Sequence, residues 1–183
     1  MNVVEPIRDL EKVKEIHNYL VQRNKRDALL FCFGIYTGLR ISDITKFRVR
    51  DCYKKYYSIR EKKTGKQKTY DWNPHLKKEL DNYITEKNPD EFLFKSRKGS
   101  NKPITRERAY IIIKHACNAC GVYNVGTHTL RKTFGFFLYE KSEKNIAMLM
   151  DIFNHASETI TLRYIGITQE KNNTVMRKMN YFL

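Results

Sequence analysis

The 183-residue sequence contains no long hydrophobic run, and its first ten residues, MNVVEPIRDL, have neither the basic nor the apolar segment of a secretion signal. No apolar stretch approaches the roughly 18 residues that a membrane-spanning helix needs. These absences argue against secreted and membrane-embedded classes. We therefore expect a soluble protein that acts in the cytoplasm and has no membrane partner.

Cysteine is scarce, and the chain contains only Cys32, Cys52, Cys117 and Cys120. The last two form a CxxC pair, but a zinc site needs two more ligands at suitable spacing, and the first two cysteines do not repeat the pair. We expect free thiols on a buried helix face in a reducing compartment. Because no metal-binding or nucleotide-binding motif is recognisable, we expect neither a metal nor another cofactor.

Acidic residues are outnumbered, since 20 Asp and Glu stand against 35 Lys and Arg, which gives a formal charge of +15. This excess favours a polyanionic partner, because each phosphate that a cation neutralises releases counterions. Hydrophobic residues make up 41% of the chain, which is enough for one core. We interpret residues 1–183 as a single domain.

Hydrophobic periodicity predicts a mainly α-helical domain that carries one small antiparallel β-sheet, which is an α+β class. A β-hairpin is expected over 56–73 with Gly65 in its turn, a surface loop over 88–103, and a tail helix over 168–183 after a core at about 8–167. Helices are expected after N-caps at Asp9, Ser42 and Thr105, in the apolar segment that follows Asn24, from Pro74 and Thr129, across NIAMLMDIF, and from Ser157 onwards.

A spaced set of basic residues and one tyrosine is suited to breaking and rejoining a phosphodiester. Arginine suits phosphate because its planar fork donates two hydrogen bonds and stays charged. A tyrosine with a pKa near 10 is only about one part in a thousand ionised at neutral pH, so as a nucleophile it needs a base or cations nearby. The set is Arg40, Lys63, His128, Arg131, His155 and Tyr164.

Each of these signals also has a purely structural interpretation. Arg40 and Asp43 fit an ordinary ion pair, and a lysine-rich hairpin tip fits an exposed turn. Tyr164 is one of 12 tyrosines and fits a half-buried aromatic side chain near a helix end. The order and spacing of the whole set are therefore more specific than any single residue.

Four segments resemble the tyrosine recombinase (phage integrase) family: TGLRISD at 37–43, a hairpin Lys-Thr-Gly at 63–65, HTLRKTFG at 128–135 and FNHASETITLRY at 153–164. The family pattern is Arg, Lys, His-x-x-Arg, His or Trp, then Tyr, and every position is filled. Phe153-Asn154-His155 replaces the usual Leu-Gly-His, and Asn tolerates a positive φ, so we expect the turn to persist. The separate N-terminal core-binding domain of typical integrases is not expected here.

The resemblance implies a site-specific recombinase that acts on double-stranded DNA, assembles on it as dimers to tetramers, and serves a phage or mobile element. Tyr164 would form a 3′-phosphotyrosyl bond, and neither ATP nor a metal would be needed. Arg40 and Arg131 would bind phosphate oxygens, His128 would act as general base, His155 would donate a hydrogen bond, and Lys63 would protonate the leaving oxygen.

Further cations in the predicted loop at 88–103, and at the start of the helix that follows Thr105, are expected to contact DNA. Asp43 is expected to support Arg40. Lys62, Lys66 and Lys68 compete with Lys63 for the acid role. Nine residues separate His155 from Tyr164, about 13.5 Å along a straight helix, so we expect a break between them. The predicted DNA contacts are Lys66, Lys95, Arg97, Lys98, Lys102, Arg106 and Arg108.

Two rival interpretations remain at the level of sequence. A type IB topoisomerase uses a similar residue set and the same 3′ linkage, but it relaxes supercoils without choosing a site. A non-catalytic DNA-binding protein would bind DNA through its basic charge alone, and Tyr164 would then have only a structural role. The tail carries an apolar edge that packs either on its own domain or on a neighbouring copy: Val175, Met176, Met179 and Phe182.

Overall fold

The computed structural model describes residues 4–60, 65, 67–167, 174 and 176–179. The described residues form a mainly helical fold with one two-stranded antiparallel sheet, which confirms the predicted class. The elements are α1 (Leu10–Val21), α2 (Lys25–Thr37), α3 (Ile41–Ile44), a 3₁₀ helix (Val49–Tyr53), β1 (Tyr56–Arg60), β2 (Gln67–Asp71), α4 (Pro74–Ile84), α5 (Arg106–Ala119), α6 (Thr129–Lys141), α7 (Ile146–Phe153) and α8 (Glu158–Tyr164).

Local capping chemistry explains where most helices begin. The side chains of Asp9, Asn24, Thr105 and Ser157 each accept a hydrogen bond from a backbone N–H in the first turn. The caps at Asp9 and Thr105 were predicted from the sequence. The prediction for Ser42 was wrong. Helix α3 begins two residues earlier than a cap at Ser42 would require, at Ile41, because the extended residue that precedes the helix is Arg40.

The hairpin pairs Tyr56 with Asp71 at one end and Arg60 with Gln67 at the other, which confirms the predicted strands. Gly65 lies between the strands with φ +69°, a backbone conformation that residues other than glycine rarely adopt. Residues 61–64 and 66 lie outside the described residues, so the predicted sites Lys63 and Lys66 have no described position.

The segment 88–103 only partly follows the prediction of a surface loop. Arg97 and Lys98 are exposed. Leu93 and Phe94 are instead buried, and the ring of Phe94 meets that of Phe33 edge-on at 5.6 Å. The hydrophobic effect on these two side chains outweighs the polar composition around them and anchors the loop to the core.

Two buried hydrophobic clusters organise the described residues. The first cluster joins α1 to α5, the hairpin and Leu130 at the start of α6. The second cluster joins α6, α7, α8 and the residues directly after α8. Gly135 of α6 allows the second cluster to close, because a Cβ at this position would lie 2.6 Å from the ring of Phe153.

The cysteines are buried and free, as the sequence predicted. Within the described part of the chain, none of the helices has the length and apolar character that crossing a bilayer requires. In that same part, no three His, Cys, Asp or Glu side chains come together as a metal-binding group would require.

Candidate active site

Arg131 is fixed at the start of α6 by the end of α2. Gly38 ends α2 in the left-handed conformation, with φ +61°, and its carbonyl accepts a 2.5 Å hydrogen bond from Nη1 of Arg131. The guanidinium carbon also lies 4.4 Å from the ring centroid of Phe153. A buried arginine that is held from two sides keeps its remaining N–H groups in a defined direction.

His128 is the N-cap residue of α6, and Arg131 follows in the first turn. The predicted shared face is therefore realised at the entrance of a helix, where the backbone N–H groups and the helix dipole favour an anion.

The chain breaks between His155 and Tyr164, as their spacing predicted. Helix α7 ends at Phe153, Asn154 adopts the left-handed conformation with φ +56° and ψ +50°, and α8 begins at Glu158. Asparagine therefore does take the positive φ that the glycine-like position requires.

The break brings Tyr164 back onto the entrance of α6. The hydroxyl of Tyr164 lies 3.3 Å from Nδ1 of His128, which is hydrogen-bonding distance. The Tyr164 ring also meets the rings of Phe153 and His155 edge-on, with centroids 5.3 and 5.1 Å away. His128, Arg131, His155 and Tyr164, which lie far apart in sequence, are thus in one cluster.

The tautomer of His155 follows from the hydrogen bonds around Thr161. The hydroxyl of Thr161 donates to the carbonyl of Ser157 at 3.0 Å, and it lies 3.2 Å from Nδ1 of His155. Because that hydroxyl proton is already used, Nδ1 of His155 must donate to the Thr161 oxygen. In the neutral imidazole, Nε2 is then free of a proton, and it becomes a donor only when the ring is protonated.

Burial and neighbouring cations set the protonation states in the cluster. Burial raises the pKa of Tyr164, and Arg131 and then Arg40 oppose that rise. Partial burial lowers the pKa of His128 and of His155, and nearby arginines lower both further. At neutral pH the resting site therefore holds a protonated phenol beside a neutral imidazole that can accept its proton.

Arg40 and Arg131 both line a cleft of about 580 Å³ between α3, the hairpin and the end of α7. The ion pair that Asp43 forms is with Lys46, at 3.7 Å, and its charge also acts on Arg131, so the expected support of Arg40 by Asp43 stays a prediction. Lys46 follows Asp43 by three residues, just after the end of α3, whereas the backbone of Arg40 is extended ahead of the helix. Arg40 is exposed, so its guanidinium remains open to a ligand in the cleft.

Lys68, a rival for the role of Lys63, is engaged elsewhere. Its Nζ lies 2.7 Å from Oδ1 of Asp151 and 2.9 Å from the Asp151 carbonyl. Since Lys68 is on β2 and Asp151 on α7, this contact ties the hairpin to the helix that carries Phe153.

The predicted DNA contacts have different surroundings. Lys95 is paired with Glu91 at 2.6 Å, which engages its ammonium group. Arg106 lies near the cluster, because its charge lowers the pKa of His128 and its Nη2 lies 3.4 Å from Oγ1 of Thr127. The predicted contacts that are simply exposed are Arg97, Lys98, Lys102 and Arg108.

Two supporting residues were not identified from the sequence. Phe153 contacts Arg131, His155 and Tyr164 through its ring, and Thr161 fixes His155. A signal for Thr161 was present, because it lies four residues after the N-cap Ser157, where its hydroxyl reaches the Ser157 carbonyl. For Phe153 no local pattern distinguishes a support for the site from an ordinary core residue.

Comparisons with known proteins show which family the chain resembles. The family model described as the phage integrase family matches residues 8–171. The probable integrase/recombinase YoeC of Bacillus subtilis (strain 168) is 46% identical over 171 residues, which cover 93% of each chain. Tyrosine recombinase XerA of Pyrococcus furiosus is 25% identical over 174 residues, which cover 93% of this chain and 60% of XerA.

Solved structures share the fold at lower identity. A crystal structure of XerA recombinase has a TM-score of 0.71 at 17% identity and is matched over 98% of this chain and 68% of its own. The XerH site-specific recombinase, in a post-cleavage complex with a palindromic difH substrate, has a TM-score of 0.68 at 19% identity. That match covers 97% of this chain and 54% of XerH.

Proposed function

Because the chain belongs to the phage integrase family, we propose that it is a site-specific DNA recombinase whose nucleophile is Tyr164. The observation that carries this proposal is the 3.3 Å contact between the Tyr164 hydroxyl and Nδ1 of His128, beside the fixed guanidinium of Arg131. A nucleophile, a base and a phosphate-binding cation thus share one site.

In the first step, the phenolic oxygen of Tyr164 attacks the scissile phosphorus while Nδ1 of His128 takes the phenol proton. The bond from phosphorus to the 5′ oxygen breaks, and that oxygen leaves as a hydroxyl after taking up a proton. A 3′-phosphotyrosyl ester remains. Attack by a second 5′-hydroxyl reverses the step, and because the ester conserves the bond energy, ATP is not needed.

Arg131 and Arg40 bind the non-bridging oxygens and stabilise the charge that develops in the transition state. Removing one such preorganised donor typically costs about 10²–10³ in rate. His155 donates from Nε2 once the phosphate has favoured its protonated form. The role of general acid falls to Lys63, which the family resemblance alone supports, because that residue lies outside the described part of the chain.

The partner in this proposal is double-stranded DNA, which the charge of +15 favours, and copies of the chain assemble on it. A role in a phage or mobile element, acting inside the cell, also belongs to the proposal. We propose that 1–183 acts as the catalytic unit, with the tail at 168–183 available to its own or a neighbouring copy.

The test uses a nicked suicide duplex, from which the short strand after the cleavage site diffuses away and traps the covalent intermediate. The substrate is taken from the DNA that flanks the gene. The wild-type chain is expected to give a protein–DNA adduct that survives denaturing electrophoresis. Tyr164→Phe is expected to give none, while Tyr123→Phe, which changes an exposed tyrosine, retains the adduct.

The same experiment separates the rival functions. Tight, salt-dependent DNA binding without any adduct would contradict the proposal and support a non-catalytic binder. Relaxation of supercoiled plasmid by a monomer, without dependence on sequence, would support a type IB topoisomerase instead.

A further inference from the structure

Lys132, which is not among the predicted site residues, lies beside the ring of the proposed nucleophile. Its Nζ lies 5.3 Å from the centroid of the Tyr164 ring, which is a cation–π distance. The same ammonium group donates a 2.6 Å hydrogen bond to the carbonyl of Val4. Lys132 is half-buried, and the charges of Glu5 and Arg8 also act on its ammonium group.

Residues 4–8, which we call the N-terminal strap, are themselves tied to the elements around Tyr164. The N–H of Ile7 donates to the buried hydroxyl of Thr133 at 2.9 Å. Nη2 of Arg8 donates to the carbonyl of Gly166, two residues after Tyr164, at 3.3 Å. The strap therefore connects the N-terminal half of α6 to the residues directly after α8.

The geometry around the ring explains what Lys132 does. His128 and Lys132 are four residues apart, joined by a backbone hydrogen bond of 2.9 Å at the start of α6, and so project on the same side. His128 meets the hydroxyl of Tyr164, while the ammonium of Lys132 lies against its ring. Two contacts at different points of one aromatic side chain restrict both its position and its rotation.

We infer that Lys132 is a positioning residue for Tyr164, held in place by the Val4 carbonyl of the N-terminal strap. This inference rests on the proposed function of Tyr164 and adds a residue that acts through it. Misplacement of a reacting group by about 1 Å can cost 10²-fold in rate. Loss of one cation–π contact should cost less, about 5- to 30-fold in the rate of adduct formation.

The experiment measures the single-turnover rate of adduct formation on the suicide duplex at saturating DNA, and the DNA dissociation constant separately. Lys132→Met keeps the length of the side chain and removes its charge and donor. Lys132→Arg keeps both a cation and a donor. Lys141→Met, at the exposed end of the same helix, is the matched control.

Lys132→Met is expected to lower the rate about 5- to 30-fold with little change in the dissociation constant, and Lys132→Arg to stay within about threefold of the wild type. Lys141→Met should match the wild type. A larger DNA dissociation constant with an unchanged rate of adduct formation would overturn the inference, because Lys132 would then act as a DNA contact.

The unfolding temperature of each variant separates positioning from folding. A slow Lys132→Met variant with an unfolding temperature near that of the wild type supports the inference. A rate loss that accompanies a lowered unfolding temperature and is not restored in Lys132→Arg overturns it. A wild-type adduct with an undiminished Lys132→Met rate refutes only this inference, whereas absence of any wild-type adduct refutes the proposed function as well.

Discussion

The two buried clusters differ in size and in what they support. Among the described residues, the first cluster contains 30 buried hydrophobic side chains, and the second contains six. The first supports Arg40 and the Gly38 carbonyl that orients Arg131. The second supports Tyr164 and His155.

This difference teaches that the two halves of the site are held with unequal strength. Elements with little buried apolar contact open at a lower free energy than elements of a large core. We therefore expect the arginines that we propose to bind phosphate to keep their geometry while α8 moves more readily. Tyr164, the proposed nucleophile, could then dock and withdraw with the smaller cluster while the larger cluster keeps its packing.

The largest expected effect comes from a cavity in the first cluster. Phe33 is fully buried and meets Phe47, Trp72 and Phe94 edge-on, with centroids 4.9 to 5.6 Å away. Phe33→Ala should lower the free energy of unfolding by about 3–5 kcal/mol. Urea unfolding followed by fluorescence measures this, since Trp72 is the single tryptophan of the chain. A loss below about 1 kcal/mol would mean that this cluster is not the main core.

A substitution in the second cluster is expected to cost less stability than Phe33→Ala and to lower the rate of adduct formation. Phe153→Leu removes ring contacts to Arg131, His155 and Tyr164 but keeps an apolar side chain. It should cost about 1–2 kcal/mol of unfolding free energy and lower adduct formation about 10- to 100-fold.

The matched control is Phe94→Leu, which makes the same change in the first cluster. Its unfolding free energy should fall by a similar amount, while its rate of adduct formation stays near that of the wild type. Equal rate losses in the two variants would show that the clusters do not differ in the way described.

The smallest expected effect is a dependence of stability on pH. The pKa values of His128 and His155 are lowered in the folded protein, so between about pH 5.5 and 7 the unfolded chain, with histidine pKa near 6.5, binds more protons. Stability should therefore fall as the pH drops through that window. Urea midpoints at pH 7.5 and 5.5 should differ more for the wild type than for a His128→Gln, His155→Gln double variant. An identical difference in both proteins would show that these histidines are not the source.

Local chemistry made much of the fold predictable. Asp9, Thr105 and Ser157 cap helices through side-chain oxygens only two or three residues from their donors, and Asn154 takes a turn that its residue type favours. The hairpin strands followed from period-two patterning.

Long-range pairing was not predictable in the same way. The hydrogen bond from Arg131 to Gly38 spans 93 positions, and that from Lys132 to Val4 spans 128. Nothing in the local sequence specifies such partners, since they depend on how packed helices meet. The burial of Leu93 was missed because the residues around it are polar, and their composition predicted a surface loop.

The most direct measurement is the identity of the amino acid that carries DNA in the covalent adduct. Digestion with nuclease and then trypsin, followed by mass spectrometry, should find a nucleotide on the peptide YIGITQEK, which begins at Tyr164 directly after Arg163. The linkage should be to a 3′ phosphate. A nucleotide on another tyrosine peptide, or a 5′ linkage on this one, would contradict the assignment of Tyr164 as the nucleophile of this site.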